Sequence, residues 1–256
     1  MESKKVISII TVTYNCVDVI EPTVVSIIEQ NDNRLEYIIV DGQSSDGTLN
    51  ILNQYQDRID HFISEPDKGI YDAMNKGLQL ATGQYVLFIN AGDLLFASDT
   101  IAQLIAIIES QHPDVIYGET MLIDDKGREL GTRSENSSRK LPEQLTWKSL
   151  NRGMVVSHQS FVVRRAIAPF YDLQYTSSAD VDWVIKCLKK ANKIVNAQMI
   201  ISKYLTGGYS KRTLKTSLGE RFKIFSRHYG FIPNLTNHLI ITLRAVWYKI
   251  NRKELN

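Results

Sequence analysis

The feature that most constrains the fold is a regular alternation of buried β-type runs with amphipathic helical segments. Residues 6–12 form an uninterrupted apolar run rich in β-branched side chains, which is typical of a strand buried on both faces. Residues 36–41 and 85–89 repeat this pattern, and segments of helical periodicity lie between them. Strands and helices that alternate in this way form a mostly parallel sheet with helices on both faces. The predicted fold class is therefore α/β.

The same reasoning assigns elements along the rest of the chain. Residues 119–153 are polar and carry turn-forming residues, so we expect a β-ribbon and a surface excursion there. The predicted division is a main domain at residues 1–210 and basic amphipathic C-terminal helices at residues 211–256. The predicted strands are residues 6–12, 36–41, 61–65, 85–89, 115–117, 155–164 and 194–205, and the predicted helices are residues 21–30, 49–55, 69–80, 100–109, 179–191, 213–229 and 233–253.

The distribution of charge separates the body of the chain from its end. The net charge is +2, which makes no case for nucleic acid as a partner. From Lys203 onward there are eleven Lys or Arg residues against Glu220 and Glu254, which leaves a net charge of −7 on the first 202 residues. An acidic body with a basic tail suggests that the tail meets an anionic surface.

Two interpretations of the C-terminal helix stay open. Its apolar residues recur at helical spacing on one face, so the helix either packs on the body or lies in the headgroup layer of an anionic membrane. Trp247 and Tyr248 suit a membrane interface. We expect no leader peptide, and no apolar run approaches the ~20 residues needed to span a bilayer. Cys16 and Cys187 form no CxxC pattern, so we expect no zinc site.

Polar residues follow the predicted strands, at the edge where open α/β sheets bind ligands. Tyr14 follows the first strand and is a candidate to stack on a nucleobase, with a packing role as the alternative. Asp41 ends the second strand and suits a ribose hydroxyl or a base NH, unless it only forms the turn before Gly42. Asp93 follows the fourth strand and suits Mn²⁺ or Mg²⁺ bridged to a diphosphate, with a turn or cap role as the alternative.

The second half of the chain offers a general base. Asp180 lies in the first turn of a predicted helix, where it either takes a proton from an acceptor hydroxyl or only complements the helix dipole. Asp182 and Trp183 are its neighbouring candidates, although successive helix residues point about 100° apart. The remaining candidates for acceptor or diphosphate contacts are His158 and Gln159, in a predicted strand, and Gly207 and Gly208, in a predicted loop. The alternatives are a hydrogen-bonded structural histidine and a loop that is simply mobile.

Five segments together resemble a known family, the family 2 glycosyltransferases. They are residues 6–15, residues 38–48, residues 64–77 with the run DKGIYDAMNKG, residues 88–93, and residues 179–182. They occur in the family's order, and the resemblance covers about residues 5–210. It is closest to bacterial enzymes that build surface polysaccharides of the colanic acid or O-antigen type. The resemblance implies a GT-A fold and an inverting transfer from a nucleotide-sugar donor, with a UDP-sugar as the expected donor.

The resemblance also implies roles for individual residues. Tyr14 and Asp41 would hold the nucleoside, and Asp67 and Lys68 would lie beside the nucleotide. Asp93 would hold the divalent metal. The chain departs from the family at this motif, since it has Asn-Ala-Gly-Asp at residues 90–93 where the family often has Asp-x-Asp, and only the last acid is present. Asp180 would be the base.

These implications define the expected partners and location. The expected acceptor is a lipid-linked saccharide, and the expected location is the cytoplasm, with the C-terminal helices peripheral on the inner face of a bacterial inner membrane. Two other classes stay open: a nucleotidyltransferase that acts on sugar phosphates, and a non-catalytic sugar- or nucleotide-binding module. A nicotinamide dehydrogenase is disfavoured because no GxGxxG follows the first strand.

Overall fold

The structure, a computed structural model, describes residues 4–207 and 214–237. Its strands are β1 (Ile7–Thr13), β2 (Leu35–Asp41), β3 (His61–Ser64), β4 (Tyr85–Phe88), β5 (Leu94–Leu95), β6 (Val115–Ile123), β7 (Glu129–Thr132), β8 (Phe161–Arg164) and β9 (Ile194–Leu205). Its helices are α1 (Ile20–Ile28), α2 (Thr48–Asn53), α3 (Ile70–Leu80), α4 (Thr100–Gln111), α5 (Ala179–Lys190) and α6 (Leu214–Tyr229). Residues 231–237 are also helical.

The nine strands in these described ranges belong to one sheet, in the order β3-β2-β1-β4-β8-β6-β9-β5, with β7 paired to β6. The first four strands of the chain pair in parallel. Strand β8 is antiparallel to both β4 and β6, and β9 is parallel to β6. Strands β1, β2, β3, β4, β6 and β9 therefore run in the same direction, which confirms the predicted α/β class. The carboxyl ends of these six strands lie at one edge of the sheet.

Each face of the sheet is covered by helices, as the alternation predicted. Alternate residues of β1, such as Ile7 and Ile9, face a core formed with α1, α2 and α4. Ile10 and Val12 face the opposite core, formed with α3, α5 and α6. The burial of both faces explains why the central strands are uninterrupted apolar runs.

Helix α6 packs against the body of the fold. Ile224 and Phe225 of α6 are buried in the core that contains α5. Tyr229 stacks on Trp147 with ring centroids 5.4 Å apart. The division at residue 210 remains a prediction, but the described part of the C-terminal region packs on the sheet domain. Most of the predicted helix at residues 233–253 lies outside the described residues.

Two predicted elements differ in the structure. The predicted strand at residues 155–164 is shorter, because a 3₁₀ turn at His158–Ser160 precedes β8. The predicted β-ribbon is the β6–β7 pair, and the excursion that follows it includes the 3₁₀ helix Trp147–Leu150. Among residues 4–207 and 214–237, no helix is long and apolar enough to cross a bilayer.

Candidate functional site

The loops that follow β1 and β2 are joined by side-chain hydrogen bonds at the carboxyl edge of the sheet. Asn15 adopts a positive φ of 49°, and its Oδ1 accepts a hydrogen bond from the Ser45 amide at 2.9 Å. The Asn15 amide donates to Ser44 Oγ at 2.8 Å, and the Val17 amide donates to Asp46 Oδ2 at 3.0 Å. These contacts hold the two loops as one rigid rim.

Tyr14 and Asp67 meet over a glycine on this rim. A Cβ atom at Gly42 would lie 2.5 Å from Asp67 Oδ2 and 3.3 Å from Tyr14 Cδ2, so a larger residue here would require the Asp67 side chain to shift. The Tyr14 ring is 61% exposed, which leaves it available for stacking. Asp67 Oδ1 accepts a hydrogen bond from the Gly69 amide at 2.7 Å, and Lys68 beside it is exposed. Three of the four predicted nucleotide-binding residues are therefore adjacent and accessible.

Asp41, the fourth, differs from the prediction. Its carboxylate is fully buried and accepts hydrogen bonds from the Ser44 amide at 2.9 Å, the Ser44 hydroxyl and the Ser64 hydroxyl at 2.7 Å. The Asp41 carboxylate is therefore not accessible to a nucleoside in this conformation, contrary to the predicted direct contact. Asp41 instead orders the loop that carries Gly42.

Asp93 lies between β4 and β9 and is only 5% exposed. Gln159 Nε2 donates to Asp93 Oδ2 at 2.7 Å, and the Leu205 amide donates to Oδ1 at 3.3 Å. Burial raises the pKa of Asp93 to about 7, although these two hydrogen bonds oppose the shift. The short pairing of β5 with β9 explains the position of this carboxyl, since Leu94 pairs with Lys203.

The residues around Asp93 fit a divalent cation held mainly by a ligand. Asn90 Oδ1 is buried without a hydrogen-bond partner in the described part of the chain, and a hard cation accepts such an amide oxygen as a ligand. A cation would also stabilise the ionised form of Asp93 that burial disfavours. No group of three or more His, Cys, Asp or Glu side chains that could hold a metal occurs within residues 4–207 and 214–237. A bound divalent cation would therefore take most of its ligands from outside the protein.

Asp180 lies in the first turn of α5, half-buried, and accepts a hydrogen bond from the Tyr71 hydroxyl at 3.1 Å. Burial and the nearby Asp180 carboxylate raise the pKa of Tyr71, so the phenol stays protonated and donates. Because Tyr71 lies in the first turn of α3, three residues after Lys68, this hydrogen bond joins the candidate nucleotide-side residues to the candidate base.

His158 is buried and is held by contacts within the protein. Its Nε2 lies 2.6 Å from the Tyr171 hydroxyl, and its ring packs on Phe88 and Trp183. Burial lowers the pKa of His158 to about 4, so the ring is neutral near pH 7. The adjacent Gln159 points the other way, to Asp93. This pair therefore links the environment of Asp180 to that of Asp93.

Asp182 and Trp183 also need a correction. Asp182 is buried, and its oxygens lie 2.6 Å from His228 Nε2 and 2.6 Å from Lys186 Nζ. Trp183 is a core residue whose Nε1 donates to the Pro169 carbonyl at 2.7 Å. Both side chains are enclosed by protein partners, so neither is available to an acceptor or diphosphate here.

Of the predicted glycine loop, Gly207 is exposed and has a φ of +100°. Gly208 lies outside the described residues. Gly207 follows β9 two residues after Leu205, whose amide contacts Asp93, so this turn begins beside the candidate metal site.

Several residues that build the candidate site carry no distinctive signal in the sequence. Tyr71 and Asn75 lie in the 67–77 run, whose pattern predicts only a helix with charged residues at its start. Tyr171 is bound by Asn75 through its backbone. Glu220 of α6 accepts hydrogen bonds from the Thr176 and Ser177 amides, just ahead of α5. One signal was available in the 67–77 run. Tyr71 and Asn75 are polar residues four positions apart, a spacing that places both on the same face of the helix.

Known proteins resemble this chain in both sequence and fold. Residues 8–168 match the family model described as Glycosyl transferase family 2. A "PGL/p-HBAD biosynthesis glycosyltransferase" from Mycobacterium bovis is 30% identical over 253 residues, which cover 95% of this chain and 91% of that protein. The "Putative teichuronic acid biosynthesis glycosyltransferase TuaG" from Bacillus subtilis is 32% identical over 165 residues, 63% of each chain.

A solved structure shows the same architecture. The crystal structure of S. aureus TarS 1-349 in complex with UDP-GlcNAc matches with a TM-score of 0.71 at 20% identity, over 86% of this chain and 64% of that chain. The predicted GT-A fold is confirmed by this likeness. The family model covers well over half of the sequence, and the mycobacterial relative matches along nearly all of it. The chain therefore belongs to glycosyltransferase family 2.

Proposed function

We propose that this protein transfers a sugar from a nucleoside diphosphate donor to an acceptor hydroxyl, with inversion, during assembly of a cell-surface polysaccharide. One observation carries the proposal. Tyr71, four residues after Asp67, donates a hydrogen bond to Asp180 and stacks on Tyr171. The Tyr171 hydroxyl contacts His158, and the adjacent Gln159 donates a hydrogen bond to Asp93. The names of the mycobacterial and Bacillus relatives support the biosynthetic setting.

The donor side would be formed by the rim after β1 and β2. The exposed Tyr14 ring offers a stacking surface for a base, and Asp67 and Lys68 offer an acceptor and a cation beside it. A UDP-sugar is the proposed donor, in line with the UDP-GlcNAc bound by the structural relative TarS. Asp41 would act indirectly, by ordering the loop that contains Gly42.

Asp93 and Asn90 would hold Mn²⁺ or Mg²⁺ together with the donor diphosphate. When bound, such a cation neutralises charge on the departing diphosphate. The protein residues would contribute the carboxylate, the Gln159 hydrogen bond that orients it, and the backbone amide of Gly207.

Asp180 would act as the general base. Its carboxylate takes the proton of the acceptor hydroxyl, and the acceptor oxygen attacks the anomeric carbon on the face opposite the leaving diphosphate. One displacement inverts the configuration at that carbon. General-base catalysis contributes about 10²–10⁴ in rate, so Asp180→Asn should lower turnover by at least ~100-fold.

A two-stage experiment tests this function. Thermal unfolding with UDP, GDP and dTDP, each with and without Mn²⁺, identifies the nucleotide that stabilises the fold. The matching nucleotide-sugars are then assayed for release of nucleoside diphosphate, with the anomeric configuration of the product read by NMR. Stabilisation without turnover on any sugar, or a fully active Asp180→Asn enzyme, would overturn the assignment.

The acceptor is proposed to be a lipid-linked saccharide, reached from the membrane surface. Leu218, Phe231, Ile232 and Leu235 in and after α6 are exposed, with Ile232 at 73%, and eleven Lys or Arg residues follow residue 202. Exposed apolar side chains with basic residues suit an anionic bilayer. The full chain should float with anionic vesicles, and Phe231→Ser with Ile232→Ser should reduce flotation. Leu130→Ser with Leu173→Ser, which changes two exposed leucines on the sheet domain, is the control; equal effects of both pairs would contradict the proposal.

A further inference from the structure

The hydrogen bond between Tyr71 and Asp180 makes the two carboxylate oxygens of Asp180 inequivalent. Oδ1 accepts the Tyr71 hydrogen bond at 3.1 Å. Oδ2 receives no hydrogen bond from any residue in the described ranges, and the side chain is half-buried rather than enclosed. One oxygen is therefore held by the protein, and the other is available to a proton from outside.

Tyr71 is itself held in place from two directions. Its ring stacks on Tyr171, with centroids 5.5 Å apart and an interplanar angle of 25°. The Tyr171 backbone is clamped by Asn75, whose Oδ1 accepts from the Tyr171 amide at 2.7 Å and whose Nδ2 donates to its carbonyl at 3.0 Å. The Tyr171 hydroxyl contacts His158. A hydroxyl supported this closely has little freedom to leave Oδ1.

We propose that Tyr71 is a positioning residue for the base: its hydroxyl holds Asp180 Oδ1, so that Oδ2 faces the acceptor hydroxyl. The inference rests on the proposed function, because it assumes that Asp180 takes the acceptor proton. That proton moves to Oδ2, and the phenolic proton remains on Tyr71 throughout. A hydrogen bond donated to a carboxylate favours its charged, basic form.

The other ionisable groups near Asp180 do not obscure the effect of the Tyr71 hydrogen bond on its carboxylate. They are His158 from the turn before β8, Tyr171 from the loop before α5, and Glu220 from α6. The lowered pKa of His158 keeps it neutral above about pH 4, and burial raises the pKa of Tyr171 well above its ordinary value. Glu220 is engaged by the amides of Thr176 and Ser177.

The first test is Tyr71→Phe in the full chain, with kcat and donor KM measured across pH. We expect kcat to fall about tenfold with donor KM unchanged, because only the base loses its orientation. The acid limb of the pH–kcat profile should also move to higher pH. Tyr55→Phe is the matched control, since it removes a 2.7 Å phenol–carboxylate contact with Glu21 at the exposed surface. A Tyr71→Phe enzyme with the kcat and acid limb of the wild type would overturn the proposal.

A second variant keeps the test valid if Tyr71→Phe unfolds. Replacing Tyr71 by 3,5-difluorotyrosine retains the ring and hydroxyl but makes the phenol a stronger donor. The acid limb should then move to lower pH, opposite to the shift in Tyr71→Phe; an unmoved limb would refute positioning by this hydroxyl. Asp180→Asn distinguishes failure of the proposed base from failure of the positioning role alone. If it stays active, the proposed base is wrong, whereas if it is inactive and both Tyr71 variants behave as wild type, only the positioning role fails.

Discussion

Two helical glycines should respond in opposite ways to the same substitution. Gly77 lies in α3 and Gly219 lies in α6, and helix propensity alone would make either Gly→Ala change stabilising by about 1 kcal/mol. The structure separates them. A Cβ at Gly77 would lie 2.4 Å from Ile10 Cγ2, whereas a Cβ at Gly219 meets nothing within 4 Å.

The magnitude follows from the environment of Ile10. Carbon atoms in contact normally lie about 3.5–4.0 Å apart, so the new methyl group would overlap Ile10 by more than 1 Å. Ile10 is fully buried in β1 between β2 and β4 and has no space to retreat. Overpacking of this kind costs up to about 3 kcal/mol, which leaves Gly77→Ala destabilising by about 2 kcal/mol after the propensity gain. Gly219→Ala should stabilise by about 0.5–1 kcal/mol.

Urea unfolding of the full chain, followed by circular dichroism, measures both changes. The double variant Ile10→Ala/Gly77→Ala tests the cause, because removal of Ile10 Cγ2 should make the Gly77 change nearly neutral or favourable. A Gly77→Ala protein as stable as the wild type would refute the steric reasoning. So would a Gly77→Ala effect that is the same with and without the Ile10→Ala change.

Three further outcomes are expected. Burial raises the pKa of Asp93 to about 7. Asp93→Asn should therefore raise the melting temperature, measured by calorimetry without added metal, by about 2–4 °C. The same change should lower sugar transfer in a turnover assay by about 100-fold or more. Burial alone would raise the pKa of Asp182, but the hydrogen bonds from His228 and Lys186 outweigh it and hold that pKa below its ordinary value. Asp182→Asn should therefore cost about 3 kcal/mol at pH 7, and urea titrations should show the difference shrinking as the pH falls from about 4 through the lowered pKa. Glu220→Ala removes the acceptor for the backbone amides ahead of α5 and should lower the free energy of unfolding by about 1 kcal/mol. The variant should also have a several-fold lower kcat with an unchanged donor KM. Unaltered kcat and stability would contradict this expectation.

The first half of the fold was predictable because each central strand is buried on both faces. A strand such as β1 must be apolar at every position, and that run is visible in the sequence. Strand β5 has only two residues and exists because Leu94 and Leu95 pair with β9. The turn at His158 interrupts an apolar run because its side chain is bound by Tyr171, a contact that no local pattern records.

In the candidate site too, contacts between residues distant in sequence leave no local pattern. Tyr14, Asp67, Asp93 and Asp180 follow or begin elements at the carboxyl edge, so their order along the chain predicts a common location. Which way a helical side chain points depends on what packs beside it. Trp183 and Asp182 were grouped with Asp180 by proximity in sequence, but α6 and the aromatic core take both of them inward.

The hydrogen bonds from Thr176 and Ser177 to Glu220 have a consequence for protein engineering. The family model ends at residue 168, before α5 begins, yet the start of α5 is anchored by a helix some forty residues further on. A hybrid enzyme that exchanges acceptor specificity between relatives should therefore inherit α5 and α6 from the same parent. A junction between these two helices would pair an anchor with a loop that did not evolve with it.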